Sequence, residues 1–191
     1  NLILKIVLAS NSEIRRKIAS NYSSDIVFTS PTINEEQLKD QLGDLDPNEL
    51  CYELAKAKAL SVSDYEDHII LGCDQICLLE DKIYSKPLNN EAAYNQLMQL
   101  NNKTHFLIGS YVFCKNEEVI YREQVTTEMA MRSLSQQEIK DYIKLDEPYN
   151  SCGAYKFEEN GYKLFNSVTG TLEAINGLPI EHLLKNLNEH V

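Results

Sequence analysis

The stretch LILKIVLASNSEIRR, residues 2–16, decides the fold class. Residues 2–9 are short, apolar and rich in branched side chains, which is the pattern of a buried strand. Ser10-Asn11-Ser12 breaks that run. A helix is expected from Ser12, with Ser12 as its N-cap and Glu13 in its first turn. A buried strand feeding a helix through a polar turn opens an α/β unit. It also makes an anion site, because the free N–H groups of the first turn and the helix dipole both face the loop. Ser10 and Ser12 add hydroxyls there, and Arg15 adds a planar fork suited to phosphate oxygens. The same residues also fit a capped surface helix with solvated arginines, since the loop is not glycine-rich.

Beyond residue 16, strands and helices first alternate and then strands dominate. Residues 26–28 fit a second strand. Asp46-Pro47-Asn48-Glu49 opens a helix, with Asp as cap, Pro at the first helical position and Glu closing a capping box; the helix is expected to run to about residue 63. Residues 68–74 (HIILGCD) read as another buried strand ending at Asp74, and 76–79 with 82–84 as a hairpin around Glu80-Asp81. Residues 90–100 are helical, with Ala93, Leu97 and Leu100 on one face. Residues 104–114 form a strand, and Val125, Thr127, Met129 and Met131 alternate as a half-buried strand would. Ser135 and Glu138 bracket a second capping box, opening a helix through residue 143. Residues 154–157 and 162–165 flank Asn160-Gly161, a hairpin signal. Residues 179–187 give a last helix. The expected fold is α/β, a mixed central sheet flanked by helices, in a single domain over residues 1–191.

The net charge of −11 disfavours DNA or RNA as a partner, because nucleic-acid binding draws on Lys and Arg that neutralise phosphates. It leaves room for a small phosphorylated ligand, held by a few basic groups and a metal ion. Five cysteines without a CxxC suggest neither a disulfide framework nor a zinc knuckle, and they fit a reducing compartment. No stretch approaches the roughly 20 apolar residues of a membrane helix. The N-terminal run is too short for a signal peptide, so a cytoplasmic protein is expected.

Among candidate chemical groups, Asp74 could hold a metal or activate water where open α/β sheets place their ligand crevice, or it could simply end a strand in a turn. Leu50, Leu54 and Lys58 stand at i, i+4 and i+8, so Lys58 projects near an apolar stripe. An ammonium there snorkels, pairs with an acid or reaches a ligand. Lys86, just before Pro87, could reach the same place. Both lysines also read as ordinary surface residues. Glu35 and Glu36 sit in a polar loop. The four histidines show no metal-ligand spacing.

Taken in order, these residues resemble the Maf family over nearly the whole chain. Residues 8–16 (LASNSEIRR) are similar to that family's opening LASxSxxRR. Asn34-Glu35 resembles its acidic pair, residues 54–59 (LAKAKA) its LAxxKA, and residues 71–75 (LGCDQ) its GxD segment. Lys86-Pro87, Thr104-His105, Gly153-Ala154-Tyr155 and Gly177-Leu178-Pro179 follow as further landmarks. The resemblance implies an α/β fold of the Maf/ITPase-like kind with a central substrate cleft. It also implies a pyrophosphatase that hydrolyses a nucleoside triphosphate to the monophosphate with a divalent metal, Mg²⁺ or Mn²⁺. It makes Asp74 the proton acceptor, Glu35 a catalytic or metal-side acid, and Ser10, Arg15, Lys58 and Lys86 the substrate contacts. Ile14, Gln75 and Glu158 fall where the family tunes its nucleotide. Gln75 with Glu158 looks more like the 7-methyl-GTP branch than the dTTP/UTP branch. Family members often form dimers and are linked to arrest of cell division.

Some positions depart from the pattern. Asn34 replaces an Asp, Gln75 stands where many members have Thr, Glu158 replaces a Gln, and residues 150–152 (NSC) lack the usual Asp-Lys pair. Asn34 and residues 150–152 motivate the alternative of a nucleotide-binding regulator with weakened turnover.

Overall fold

The computed structural model describes residues 4–191. Two compact units emerge: residues up to 75 with 109–125 and 171–191, and residues 76–108 with 126–170. The seven-stranded sheet has the order β2-β1-β3-β5-β6-β7, with β4 paired to β3.

The first unit opens with β1 (Ile6–Ala9), α1 (Glu13–Tyr22) and β2 (Val27–Thr29). Positions 2 and 3 of the expected first strand lie outside the described residues. Next come α2 (Glu35–Leu42), α3 (Pro47–Leu60) and the first part of β3 (Ile69–Leu79). β1 pairs in parallel with both neighbours, Val7 opposite Val27 and Ile70, and Ala9 opposite Thr29 and Gly72. The chain thus leaves β1 for β2 on one side and returns to β3 on the other. Right-handed crossovers then require the connecting helices to cover opposite faces.

Packing follows that rule. Ile18 and Ala19 of α1 share a core with Leu8, Leu71, Cys73 and the last helix. Ala55 and Ala59 of α3 lie against Val7, Ala9 and Ile70. Period-two alternation along β3 separates the two sets. Gly72 is needed here, because a Cβ on it would stand 2.2 Å from Ala55 O and 2.7 Å from Ala59 N. α3 therefore rests its backbone on the strand.

α3 ends at Leu60, short of residue 63, where Ser61 Oγ turns back to donate to Lys58 O at 2.7 Å. β5 (Thr104–Lys115) and β6 (Glu118–Met131), of which residues 109–125 belong to this unit, meet at Asn116-Glu117. Both turn residues have positive φ, 52° and 65°, as a type I′ hairpin demands. The alternation from Val125 onward is thus the second half of a longer strand. α6 (Leu172–Ile175) and α7 (Ile180–His190) complete this unit.

The second unit holds β4 (Lys82–Tyr84), antiparallel to the far end of β3 across Glu80-Asp81. α4 (Asn90–Leu100) buries Ala93, Leu97 and Leu100. α5 (Gln136–Asp146) carries the expected capping box of Ser135 and Glu138 and runs three residues past 143. The hairpin expected at Asn160-Gly161 does not form. Asn160 has φ −101° and Gly161–Leu164 is a one-turn 3-10 helix leading into β7 (Phe165–Val168), which pairs with β6. Tertiary contacts override the turn signal. Asp146 accepts from both Asn160 N and Asn160 Nδ2, at 2.9 and 2.8 Å. Gly161 N donates to Lys156 O at 2.8 Å, so close that a Cβ would sit 2.5 Å from that oxygen. No helix among the described residues is long and apolar enough to cross a membrane.

Candidate active site

Parallel register brings the candidate site residues of the first unit together. Ala9 is level with Gly72, so Ser10-Asn11-Ser12 leaves β1 where β3 reaches Cys73 and Asp74. That is the carboxyl end of β1, between crossovers on opposite faces, the position at which open α/β sheets form a ligand crevice. Ser12 caps α1 as expected, its Oγ accepting from Arg15 N at 3.3 Å. Ser10 is buried, and its Oγ accepts from Ser12 N at 3.1 Å. Arg16 Nε donates to Ser10 O at 2.7 Å while its guanidinium lies over Phe28, so Arg16 shapes the turn. Arg15 Nε donates to Gly177 O at 2.9 Å, across 162 residues of sequence. Gly177 has φ +95°, and a Cβ there would come within 3.0 Å of Arg15 Nε.

Asp74 does not end its strand. It sits inside the eleven-residue β3, because Ile76 and Cys77 continue the apolar run into the hairpin with β4. Its side chain shares a face with Ile70 and Gly72, toward α3. The close approach at Gly72 sets Lys58 beside it. Lys58 Nζ donates to Asp74 Oδ1 at 3.0 Å and to Cys73 O at 3.3 Å, and pairs with Glu35 Oε1 at 2.7 Å. An ammonium has three donors, and three acceptors surround this one. Asp74 and Lys58 are only 7% and 9% exposed, so this is a buried ion cluster, not a snorkelling surface lysine. Burial draws the Lys58 pKa down and Arg15 adds to that. The carboxylates of Asp74 and Glu35 outweigh both and hold it above the ordinary lysine value. Asp74 Oδ2 is buried without a hydrogen-bond partner. Cys51 Sγ donates to Asp74 O at 3.5 Å. Burial first, and the Asp74 charge second, push that thiol up to about 12, so it acts here as a donor and not as a nucleophile.

The Maf-like protein family matches residues 5–190 of the chain. The chain belongs to the Maf family. A nucleoside triphosphate pyrophosphatase of Legionella pneumophila (strain Philadelphia 1) is 35% identical over 183 residues, covering 95% of this chain and 92% of that protein. A 7-methyl-GTP pyrophosphatase of Pseudoalteromonas atlantica is 32% identical over 188 residues, covering 97% and 95%. The structure of the Staphylococcus aureus Ham1 protein aligns with a TM-score of 0.47 at 13% identity, over 96% of this chain and 97% of that one.

The remaining expected site residues of this Maf-family chain fall in different settings. Glu35 is not in a loop. It is the first residue of α2, whose N-cap is Asn34, with Asn34 Oδ1 accepting from Gln37 N at 3.0 Å. The Asn at position 34 is thus occupied as a helix cap. Ile14 is half-buried and packs against the core of the first unit. Gln75 Nε2 donates to Ala174 O and Ile175 O at 3.1 and 3.2 Å, so its amide ties β3 to α6. Lys86 is exposed on the segment after β4, in the second unit. Glu158 is exposed within the turn at residues 157–160, also in the second unit, and not in a strand, because the Asn160-Gly161 hairpin that defined that strand is absent. Two participants carried no readable sequence signal as contacts. The Gly177 carbonyl and the Cys51 thiol reach the site only through packing.

Proposed function

We propose that this Maf-family chain hydrolyses a nucleoside triphosphate to the monophosphate and pyrophosphate. The observation that carries the reading is Asp74: a buried carboxylate with one oxygen held by Lys58 and the other unpartnered, beside the Ser10-Asn11-Ser12 turn. The names of the relatives in Legionella pneumophila and Pseudoalteromonas atlantica support the reaction class. In this reading, water attacks the α-phosphorus and its proton passes to Asp74 Oδ2. The bond from the α-phosphorus to the bridging oxygen breaks, and pyrophosphate leaves. Before the nucleotide binds, Lys58 fixes the orientation of Asp74 through Oδ1. Ser10, Arg15 and Lys58 bind the phosphates and offset the charge that builds on the leaving oxygens. The Gly177 carbonyl holds the Arg15 fork in position. A single functional domain over residues 1–191 belongs to this reading.

No group of three or more His, Cys, Asp or Glu that could hold a metal occurs among the described residues. The donors that are present still fit a magnesium-type ion, which commonly takes one or two carboxylates and completes its shell with substrate phosphates and water. Asp74, with its unpartnered Oδ2, and Glu35 would hold it. When bound, such an ion lowers the pKa of water and offsets phosphate charge. A guanine-type triphosphate is the preferred substrate in this reading, supported by the relatives named 7-methyl-GTP pyrophosphatases. A homodimer and a cytoplasmic location belong to the same proposal and rest on the family resemblance. The test is pyrophosphate release from a panel of canonical and 7-methylated triphosphates, with Mg²⁺ and with Mn²⁺. Binding without release from any of them would sink the hydrolytic reading and leave a nucleotide-binding regulator.

A further inference from the structure

Lys58, Asp74 and Glu35 present an electrostatic problem that the hydrolytic reading does not solve. The two carboxylates that suit a divalent ion are already bridged by an ammonium, at 3.0 Å to Asp74 Oδ1 and 2.7 Å to Glu35 Oε1. The side chains of Lys58 and Asp74 are 11% and 10% exposed, so little water screens them. A bare divalent ion taking both carboxylates would stand within a few ångströms of Lys58 and would also feel Arg15, whose charge already acts on Lys58. Asp74 Oδ2, buried without a hydrogen-bond partner, is a single ligand, and no third His, Cys, Asp or Glu completes a set among the described residues. The free protein therefore offers a divalent ion an incomplete and already neutralised site.

A triphosphate changes each term. Its oxygens supply the missing ligands, and they give the Lys58 ammonium a stronger partner than a shared carboxylate. The groups that must move are able to. The Glu35 side chain is 42% exposed at the first residue of a helix, and the lysine stem has four flexible carbons.

We propose that Lys58 is a resident counter-cation that keeps divalent ions off Asp74 and Glu35 until a nucleotide's phosphates draw the ammonium away, so that the ion enters only with the nucleotide. This inference rests on the hydrolytic reading for the identity of the ligand. It predicts opposite signs for one substitution. Lys58→Met tightens binding of the bare ion and weakens binding of the ion–nucleotide complex.

The experiment uses the full chain and two readouts other than activity. Free Mn²⁺ is titrated with protein and followed by its electron paramagnetic resonance signal. The Mn²⁺ complex of a GTP analogue with a methylene group between the α- and β-phosphorus is titrated by calorimetry. Wild type should bind bare Mn²⁺ weakly, and Lys58→Met should bind it at least roughly tenfold more tightly, the sign that removal of a nearby like charge requires. Lys58→Met should bind the Mn²⁺–analogue complex more weakly than wild type. Lys58→Met/Asp74→Asn should lose the gain for bare Mn²⁺. Should Lys58→Met fail to fold, Lys58→Gln keeps a neutral donor to Asp74 Oδ1 and should show the same two signs. The inference is overturned if wild type binds bare Mn²⁺ as tightly as the variant. It is equally overturned if the gain survives Asp74→Asn, or if both affinities move the same way. Pyrophosphate release by wild type, assayed separately, judges the hydrolytic reading. Turnover combined with tight binding of bare Mn²⁺ overturns the counter-cation and leaves hydrolysis standing. The predicted pair of signs without turnover does the reverse.

Discussion

At Asp74, one carboxylate oxygen is anchored and the other is left without a partner inside the protein. An unpartnered buried acceptor costs about 1–3 kcal/mol, and at Asp74 that acceptor belongs to the carboxylate paired with Lys58. Asp74→Asn keeps the shape and the acceptor for Lys58, while Lys58 retains Glu35. The fold should therefore persist, with the far-ultraviolet circular dichroism of the wild type. Turnover should fall by roughly 10²–10⁴, the range assigned to a lost acid–base group. Retention of activity within about threefold of wild type would remove Asp74 from the chemistry. Glu158 makes the contrasting case at this scale. It is exposed in a turn, so Glu158→Gln should change stability by no more than about 0.5 kcal/mol in urea denaturation. A preference for 7-methyl-GTP over UTP that is unchanged by the same substitution would take Glu158 out of base selection.

Among the elements, the fit of α3 on β3 sets the site. Lys58 reaches Asp74 because Gly72 lets the backbone of α3 settle on the strand at Ala55 and Ala59. Gly72→Ala would place a methyl group 2.2 Å from Ala55 O, against backbone that has no rotamer to give. Overpacking of this kind costs typically about 1–3 kcal/mol. α3 should lift, and turnover should fall along with the urea midpoint, although Gly72 carries no chemical group. A variant of wild-type stability and activity would show that the helix has another way to relieve the contact. The capping box at the start of α5 is a control far from chemistry. Ser135→Ala leaves Glu138 N without its cap and should cost about 1 kcal/mol with turnover unchanged.

Over the whole molecule, a net charge of −11 opposes the approach of a polyanionic substrate unless cations offset it locally. Activity should therefore vanish in excess EDTA while the thermal unfolding midpoint stays put. Full activity in chelator would mean that the basic side chains suffice. Acid stability has a different source. His105 is fully buried, with Nε2 bonded to Tyr155 Oη at 2.8 Å and Nδ1 unpartnered, and burial pulls its pKa down to about 4. Between the ordinary value of about 6.5 and about 4, the unfolded chain binds a proton that the native state refuses. Stability should thus be unaffected by His105 above that window. It should fall by roughly 3 kcal/mol as pH drops through it, and level off below. Urea denaturation of wild type and His105→Gln at about pH 7 and about pH 4.5 checks this. An equal loss in both proteins would assign the acid sensitivity elsewhere.

Local chemistry made much of this legible in one dimension. Residues 2–16 imply strand, turn and capped helix because burial, capping and periodicity act over a few residues, and Ser12 and Ser135 cap where they are read to. The same holds for the buried face of α4 and for the mixed sheet. Contacts across long separations were not legible. Asn160-Gly161 has the residues of a tight hairpin, but Asp146 claims both the backbone and the side chain of Asn160 and forces another turn. Asp74 looked like a strand end, because nothing nearby shows that residues 76–79 continue the same ladder. That Lys58 is an ion-pair partner and not a surface lysine depends on how closely α3 lies on β3, and that distance is set by the missing Cβ of Gly72. Arg15 finds its carbonyl 162 residues away. Composition and short-range pattern determine which elements form and which residues could act. Only packing, where side-chain volume and buried charge are resolved together, decides which of those residues meet.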